Sequence, residues 1–128
     1  HVKLREQLGL LSGPVEEFQK SAEAEHNAML SMLVDEGYLD ASALEDELAN
    51  ENEIIDALYR GLKGSPCKLM AASIVDAVGE KRTQNQPGTS NEYPNWRIPL
   101  ADGDGNVVPL EQLFDNTRLQ EIAAIMRG

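Results

Sequence analysis

The apolar positions of the first half recur at helical spacing. Val15, Phe18, Ala22, Met29 and Leu33 advance by three, four, seven and four residues, which places them on one side of a helix. Ser12 and Gly13 precede them, Pro14 stands where the first helical turn tolerates it, and Glu16 and Glu17 lie beside the positive end of the dipole. Gly37 supplies the stop. The spacing predicts an amphipathic helix about 33 Å long at 1.5 Å per residue. His26 falls on its apolar side and reads as a structural histidine, with no catalytic partner near it in sequence.

Asp40 can cap a second, short helix on which Leu44 and Leu48 point together. The segment "NENEIIDALYRGLKG" predicts a third, with Ile55, Leu58, Tyr59 and Leu62 as its inner stripe and Gly64 and Pro66 beyond it. At "CKLMAASIVDAVGE" the periodicity disappears. Residues 68–75 are nearly continuously apolar between Pro66 and Gly79, which suits a parallel strand buried on both faces. Asp76 follows at the C-terminal lip of that expected strand. From about Pro109 the pattern is helical again, with Leu113, Phe114, Leu119, Ile122 and Met126 apolar. Helices, one buried strand, a long loop and a helix make a portion of an alternating β/α fold. The strand's neighbours must come from elsewhere.

Composition narrows the function classes. A chain of 128 residues makes one small domain. It has no run of about 18 apolar residues and no signal-peptide start, so it is expected to be soluble and cytoplasmic. Its net charge is −11. Residues 1–60 carry fourteen acidic against four basic residues, and residues 61–128 carry eight against seven. That charge repels phosphate backbones and anionic membranes, so neither nucleic acid nor membrane is an expected partner. The single cysteine, Cys67, excludes an internal disulfide and is expected to be a small buried hydrophobe. No cofactor and no metal site is expected. Asp102, Asp104 and Asn106 in "DGDGN" match the first spacings of a calcium loop, but Val107 and Leu113 replace its glycine and glutamate, so the segment reads as a turn.

The stretch "RTQNQPGTSNEYPNWRIPL", residues 82–100, has neither helical nor strand periodicity. It carries what a neutral, polyhydroxylated ligand requires. Asn85 and Asn95 offer paired donors and acceptors for adjacent hydroxyls, while Tyr93 and Trp96 offer flat faces for sugar rings. Pro87-Gly88 fits the centre of a type II turn, which would hold Asn85 in one orientation. Trp96 could instead be a core anchor, and Arg97 could pair with Glu92 or Asp76. About thirty irregular residues after a strand exceed what a connection needs, and loops of that length are usually functional or disordered.

"RTQNQPGTSNEYPNWRIPLAD", preceded by "DAVGEKR", closely resembles the C-terminal signature of bacterial 4-alpha-glucanotransferases, the amylomaltase or disproportionating-enzyme family. "LREQLGLL" and "EGYL" resemble less patterned parts of that family, most like its actinobacterial forms. The resemblance implies the C-terminal part of a (β/α)8 TIM barrel. Residues 1–64 would be a helical segment between strands 7 and 8, and residues 65–128 the last strand, an active-site loop and the final helix. It implies an enzyme that transfers α-1,4-glucan segments between maltooligosaccharides with retention, acting on maltooligosaccharide or glycogen-derived glucan. Retention needs two carboxyl groups about 5 Å apart, to which the family adds a stabilising aspartate. None of these has a match in this chain, so the chain is expected to be inactive alone and to need the remainder of the barrel as its partner.

By matching position the resemblance implies substrate contact for Asn85, with Pro87 and Gly88 backbone assisting. It implies a role in loop architecture for Trp96 and Arg97, beside the sugar-facing role of the Trp96 ring, and a structural role for Asp76. Tyr93 could stack on sugar or on the loop. A non-catalytic carbohydrate-binding module and an acidic helical adaptor are the alternatives from other classes.

Overall fold

The computed structural model describes residues 1–128. Every regular element in it is helical. Helix α1 is Val2–Gln7, α2 is Val15–Asp35, a 3-10 turn spans Ala41–Asp46, and α3 is Glu51–Gly64. Short helices α4, Ile74–Val78, and α5, Leu110–Leu113, precede α6, Thr117–Arg127. The chain divides into two compact units. One comprises His1–Met29 with Arg82–Pro99, and the other Leu30–Lys81 with Leu100–Gly128.

Helix α2 follows its sequence signals, with Glu16 and Glu17 in its first turn. Gly37 closes it at φ 74°, a left-handed conformation that glycine adopts without steric cost. The Tyr38 and Leu39 N–H groups then donate to the Leu33 carbonyl. His26 is exposed, as are all residues from Gln19 to Ala28, so the expected apolar stripe is buried only near Leu30 and Leu33. Asp40 does cap the next element, accepting the Ser42 N–H at 2.8 Å, but the element is a 3-10 turn. Leu48 lies beyond its end and is exposed, while Leu44 is half-buried.

The core of the second unit forms where α3, α4 and α6 meet. Tyr59, Ala77 and Ile122 are buried there, with Ile55, Leu62, Leu119, Ile125 and Met126 packed around them. Arg118 on α6 donates to Asp56 on α3 at 2.8 Å and to Glu121 at 2.6 Å. The expected C-terminal helix is interrupted because Asn116 starts a new one, its side-chain oxygen accepting the Leu119 N–H at 2.8 Å.

The expected buried parallel strand is not formed. Residues 68–73 are irregular and exposed, and Leu69 is 95% accessible. A strand exists only as part of a ladder, and the only bridge in the chain is the isolated antiparallel pair Ala101 and Val107. Ser73 then begins α4, its hydroxyl accepting the Val75 N–H, so Asp76 sits inside a helix. Cys67, expected to be buried, is exposed because the segment that carries it is not covered.

Candidate functional site

The loop of residues 82–99 belongs wholly to the first unit, and its own side chains hold it. The peptide joining Asn85 to Gln86 is fixed at both ends. The Thr83 hydroxyl donates to the Asn85 carbonyl at 2.8 Å, and the Asn95 side-chain oxygen accepts the Gln86 N–H at 2.6 Å. The Asn95 amide nitrogen donates in turn to the Thr89 hydroxyl at 2.8 Å and to the Thr89 carbonyl at 3.3 Å. Pro87 and Gly88 form the exposed tip, with Gly88 at φ 87°. The Thr89 hydroxyl donates to the Gln86 carbonyl at 2.6 Å, which closes the turn. Leu10 packs beneath Gly88, where a Cβ would lie 3.2 Å from Leu10 Cδ2.

These bonds divide the site residues by task. Asn95 is spent on the loop, whereas Asn85 is half-buried and its carboxamide makes no bond within the chain. The Tyr93 hydroxyl donates to the Thr83 carbonyl at 2.6 Å, which commits its polar end to the loop. Trp96 is not a core anchor, since it is 76% exposed. Its φ is 58°, in the left-handed region that costs an ordinary residue roughly 1–2 kcal/mol, and its N–H donates to the Gln84 carbonyl at 2.8 Å. Backbone strain at an exposed aromatic residue points toward function.

Arg97 is exposed. Its two candidate partners are bonded to other groups: Glu92 accepts the Ser90 N–H at 2.7 Å and Asp76 accepts the Tyr59 hydroxyl at 2.6 Å. The Ser90 N–H holds the Glu92 carboxyl below its ordinary range. Sequence reasoning missed Gln86, which is only 2% exposed and serves as the loop's own small core. Its place just before Pro87 predicts extended backbone but not burial, so no local signal announces this role.

Asp76 lies in the second unit. The Tyr59 hydroxyl bridges it to the start of α4 by donating to Asp76 and accepting the Ser73 N–H at 2.9 Å. Burial, followed by the bond to Asp76, raises the Tyr59 pKa above its ordinary value. Beside this pair an open, mainly apolar groove of about 380 Å³ is lined by Ile55, Leu58, Leu62 and Ala71. In the turn "DGDGN" the Asp102 carboxylate accepts the Asp104 and Asn106 N–H groups at 3.0 and 2.9 Å, which makes it a turn residue. No cluster of three or more metal-ligating side chains occurs, and no helix is long and apolar enough to cross a membrane.

Residues 12–104 match the family described as 4-alpha-glucanotransferase. The chain is 45% identical over 127 residues to proteins of that name from Mycobacterium tuberculosis and Mycobacterium bovis, covering 99% of this chain. It is 29% identical over 122 residues to the one from Haemophilus influenzae. Its structure is similar to part of the crystal structure of amylomaltase from Corynebacterium glutamicum, at a TM-score of 0.79 and 33% identity over 98% of this chain. The chain spans 17% of the length of the mycobacterial relatives and 19% of the amylomaltase chain.

Proposed function

The chain belongs to the 4-alpha-glucanotransferase family, and we propose that it is the C-terminal part of the (β/α)8 barrel of such an enzyme, supplying a substrate-binding loop. In this reading the full-length enzyme moves α-1,4-glucan segments between maltooligosaccharides with retention. Residues 1–64 form the helical segment before the last barrel strand position, and residues 65–128 carry the loop and the final helix. The catalytic carboxylates belong to the rest of the enzyme, and no cofactor takes part.

The observation that carries this reading is the contrast between the two asparagines. The Asn85–Gln86 peptide is clamped by Thr83 and Asn95, so the carboxamide of Asn85 stands on a fixed base with its hydrogen-bonding capacity unused. A sugar presents vicinal hydroxyls that donate and accept, which is what a carboxamide offers in return. The Trp96 indole adds an exposed flat face in the same loop. Pro87, Gly88 and Tyr93 set the loop's shape, with the Tyr93 ring as an additional surface for sugar. Arg97 and Asp76 support the architecture.

Incubation with maltotriose tests the reading. The full-length enzyme carrying these residues produces glucose and longer maltodextrins, while the 128-residue chain leaves the sugar unchanged. Transfer by the pure chain, or none by the full-length enzyme, contradicts it.

A further inference from the structure

Asn85 sits between two pinned peptide groups. On its N-terminal side the Gln84 carbonyl accepts the Trp96 N–H at 2.8 Å. On its C-terminal side the Asn85 carbonyl accepts the Thr83 hydroxyl at 2.8 Å, and the Gln86 N–H donates to the Asn95 side-chain oxygen at 2.6 Å. Because φ and ψ are the backbone's only soft dihedrals, two fixed peptide planes fix the direction of the Cα–Cβ bond between them. Thr83 is itself held, since its carbonyl accepts the Tyr93 hydroxyl at 2.6 Å across ten residues. Tyr93, Thr83 and Asn85 thus form a hydrogen-bonded series that ends at a carboxamide with its bonding capacity unused. The tip of the loop is closed by other bonds, from Thr89 to Gln86 and from Asn95 to Thr89, so it does not depend on this series.

We propose that Thr83 is a positioning residue for glucan transfer: its hydroxyl, oriented through the bond from Tyr93 to its carbonyl, aims the Asn85 carboxamide at the sugar. The inference rests on the reading of Asn85 as a glucan contact. Thr83 acts through Asn85, because its one hydroxyl proton is given to the Asn85 carbonyl. Groups joined in such a network act as a unit, so their effects on activity do not simply multiply.

The test measures kcat/KM for transfer from maltotriose by the full-length enzyme carrying these residues, per folded protein, with melting temperatures by calorimetry. Thr83→Val keeps the branched shape and removes the hydroxyl, Thr83→Ser keeps the hydroxyl, and Tyr93→Phe keeps the ring while removing its bond to Thr83. Thr83→Val should lower kcat/KM about two- to fifteen-fold, the range for one neutral hydrogen bond. Its melting temperature should change little, because Thr83 is only partly buried and water replaces its hydroxyl. Thr83→Ser should retain the wild-type rate, and Tyr93→Phe should fall in the same direction as Thr83→Val. In an Asn85→Ala background, Thr83→Val should cost nothing further.

Losses that multiply in the double variant would make Thr83 an independent prop of the loop and overturn the proposal. So would a Thr83→Ser loss equal to that of Thr83→Val, or a wild-type kcat/KM for Thr83→Val or Tyr93→Phe. Each of these outcomes, with Asn85→Ala impaired, leaves the glucan-contact reading intact. If Asn85→Ala itself transfers glucan at the wild-type rate, that reading fails and the proposal fails with it.

Discussion

The side-chain oxygen of Asn95 accepts the backbone N–H of Gln86 at 2.6 Å, across nine residues of an otherwise irregular loop. Gln86 is buried, so loss of that acceptor strands a donor away from water. Removing Asn95 should cost roughly 1–3 kcal/mol. Asn95→Ala is therefore expected to lower the melting temperature of the chain by several degrees, measured by calorimetry. An unchanged melting temperature would show that the loop does not depend on this clamp.

Trp96 separates strain from recognition. Its left-handed backbone costs roughly 1–2 kcal/mol, which glycine avoids at a conformational-entropy cost of about 0.5–1 kcal/mol. Trp96→Gly should leave the melting temperature unchanged or slightly raised. In the full-length enzyme it should raise KM for maltooligosaccharides several-fold, since stacking contributes about 1 kcal/mol beyond area burial. A destabilised variant with wild-type KM would make Trp96 a structural residue.

The pair of Tyr59 and Asp76 gives a pH signature. Burial and the neighbouring carboxylate raise the Tyr59 pKa above the ordinary tyrosine value of about 10. The unfolded chain then loses the phenol proton before the folded one does. The stability it contributes is complete below about pH 10 and is lost as pH rises through the folded value. Melting temperatures taken from pH 8 to 11 should fall more steeply for the wild type than for Tyr59→Phe. At pH 7 the variant should be less stable by about 1–3 kcal/mol, because two bonds are lost. Parallel pH profiles would rule out this role for Tyr59.

Asp102 supports a turn rather than a cation site. Its carboxylate accepts bonds from Asp104 and Asn106, and the Asn106 side chain leads the causes that lower its pKa. Millimolar calcium should leave the melting temperature of the chain unchanged. A calcium-dependent rise that Asp102→Ala abolishes would contradict the assignment.

Much of the fold was legible where local signals and periodicity agree. Pro14 and Gly37 bracket α2, Asp40 caps the 3-10 turn after it, and Gly64 ends α3. The failures share a cause. Residues 68–75 are apolar enough for a buried strand, but a strand's ladder lies in other segments, and none here supplies it. Cys67 is exposed with that segment. In the loop, residue chemistry nominated both asparagines equally. The resemblance singles out Asn85 by position, and the bonds give the physical reason, with Asn95 facing inward to Gln86 and Thr89. That distinction depends on chain geometry nine residues away, which no local pattern encodes.

If Asn85 meets the glucan while Asn95 holds the loop, activity and stability in the full-length enzyme respond differently to the two substitutions. A lost neutral hydrogen bond contributes roughly 0.5–1.5 kcal/mol, equivalent to about a two- to fifteen-fold fall in kcat/KM. Asn85→Ala should show a fall of that size or larger with an unchanged melting temperature, while Asn95→Ala loses activity together with stability. Glucan transfer by Asn85→Ala at the wild-type rate, or a loss no greater than its loss of folded protein, would make Asn85 part of the loop's scaffold and not a substrate contact.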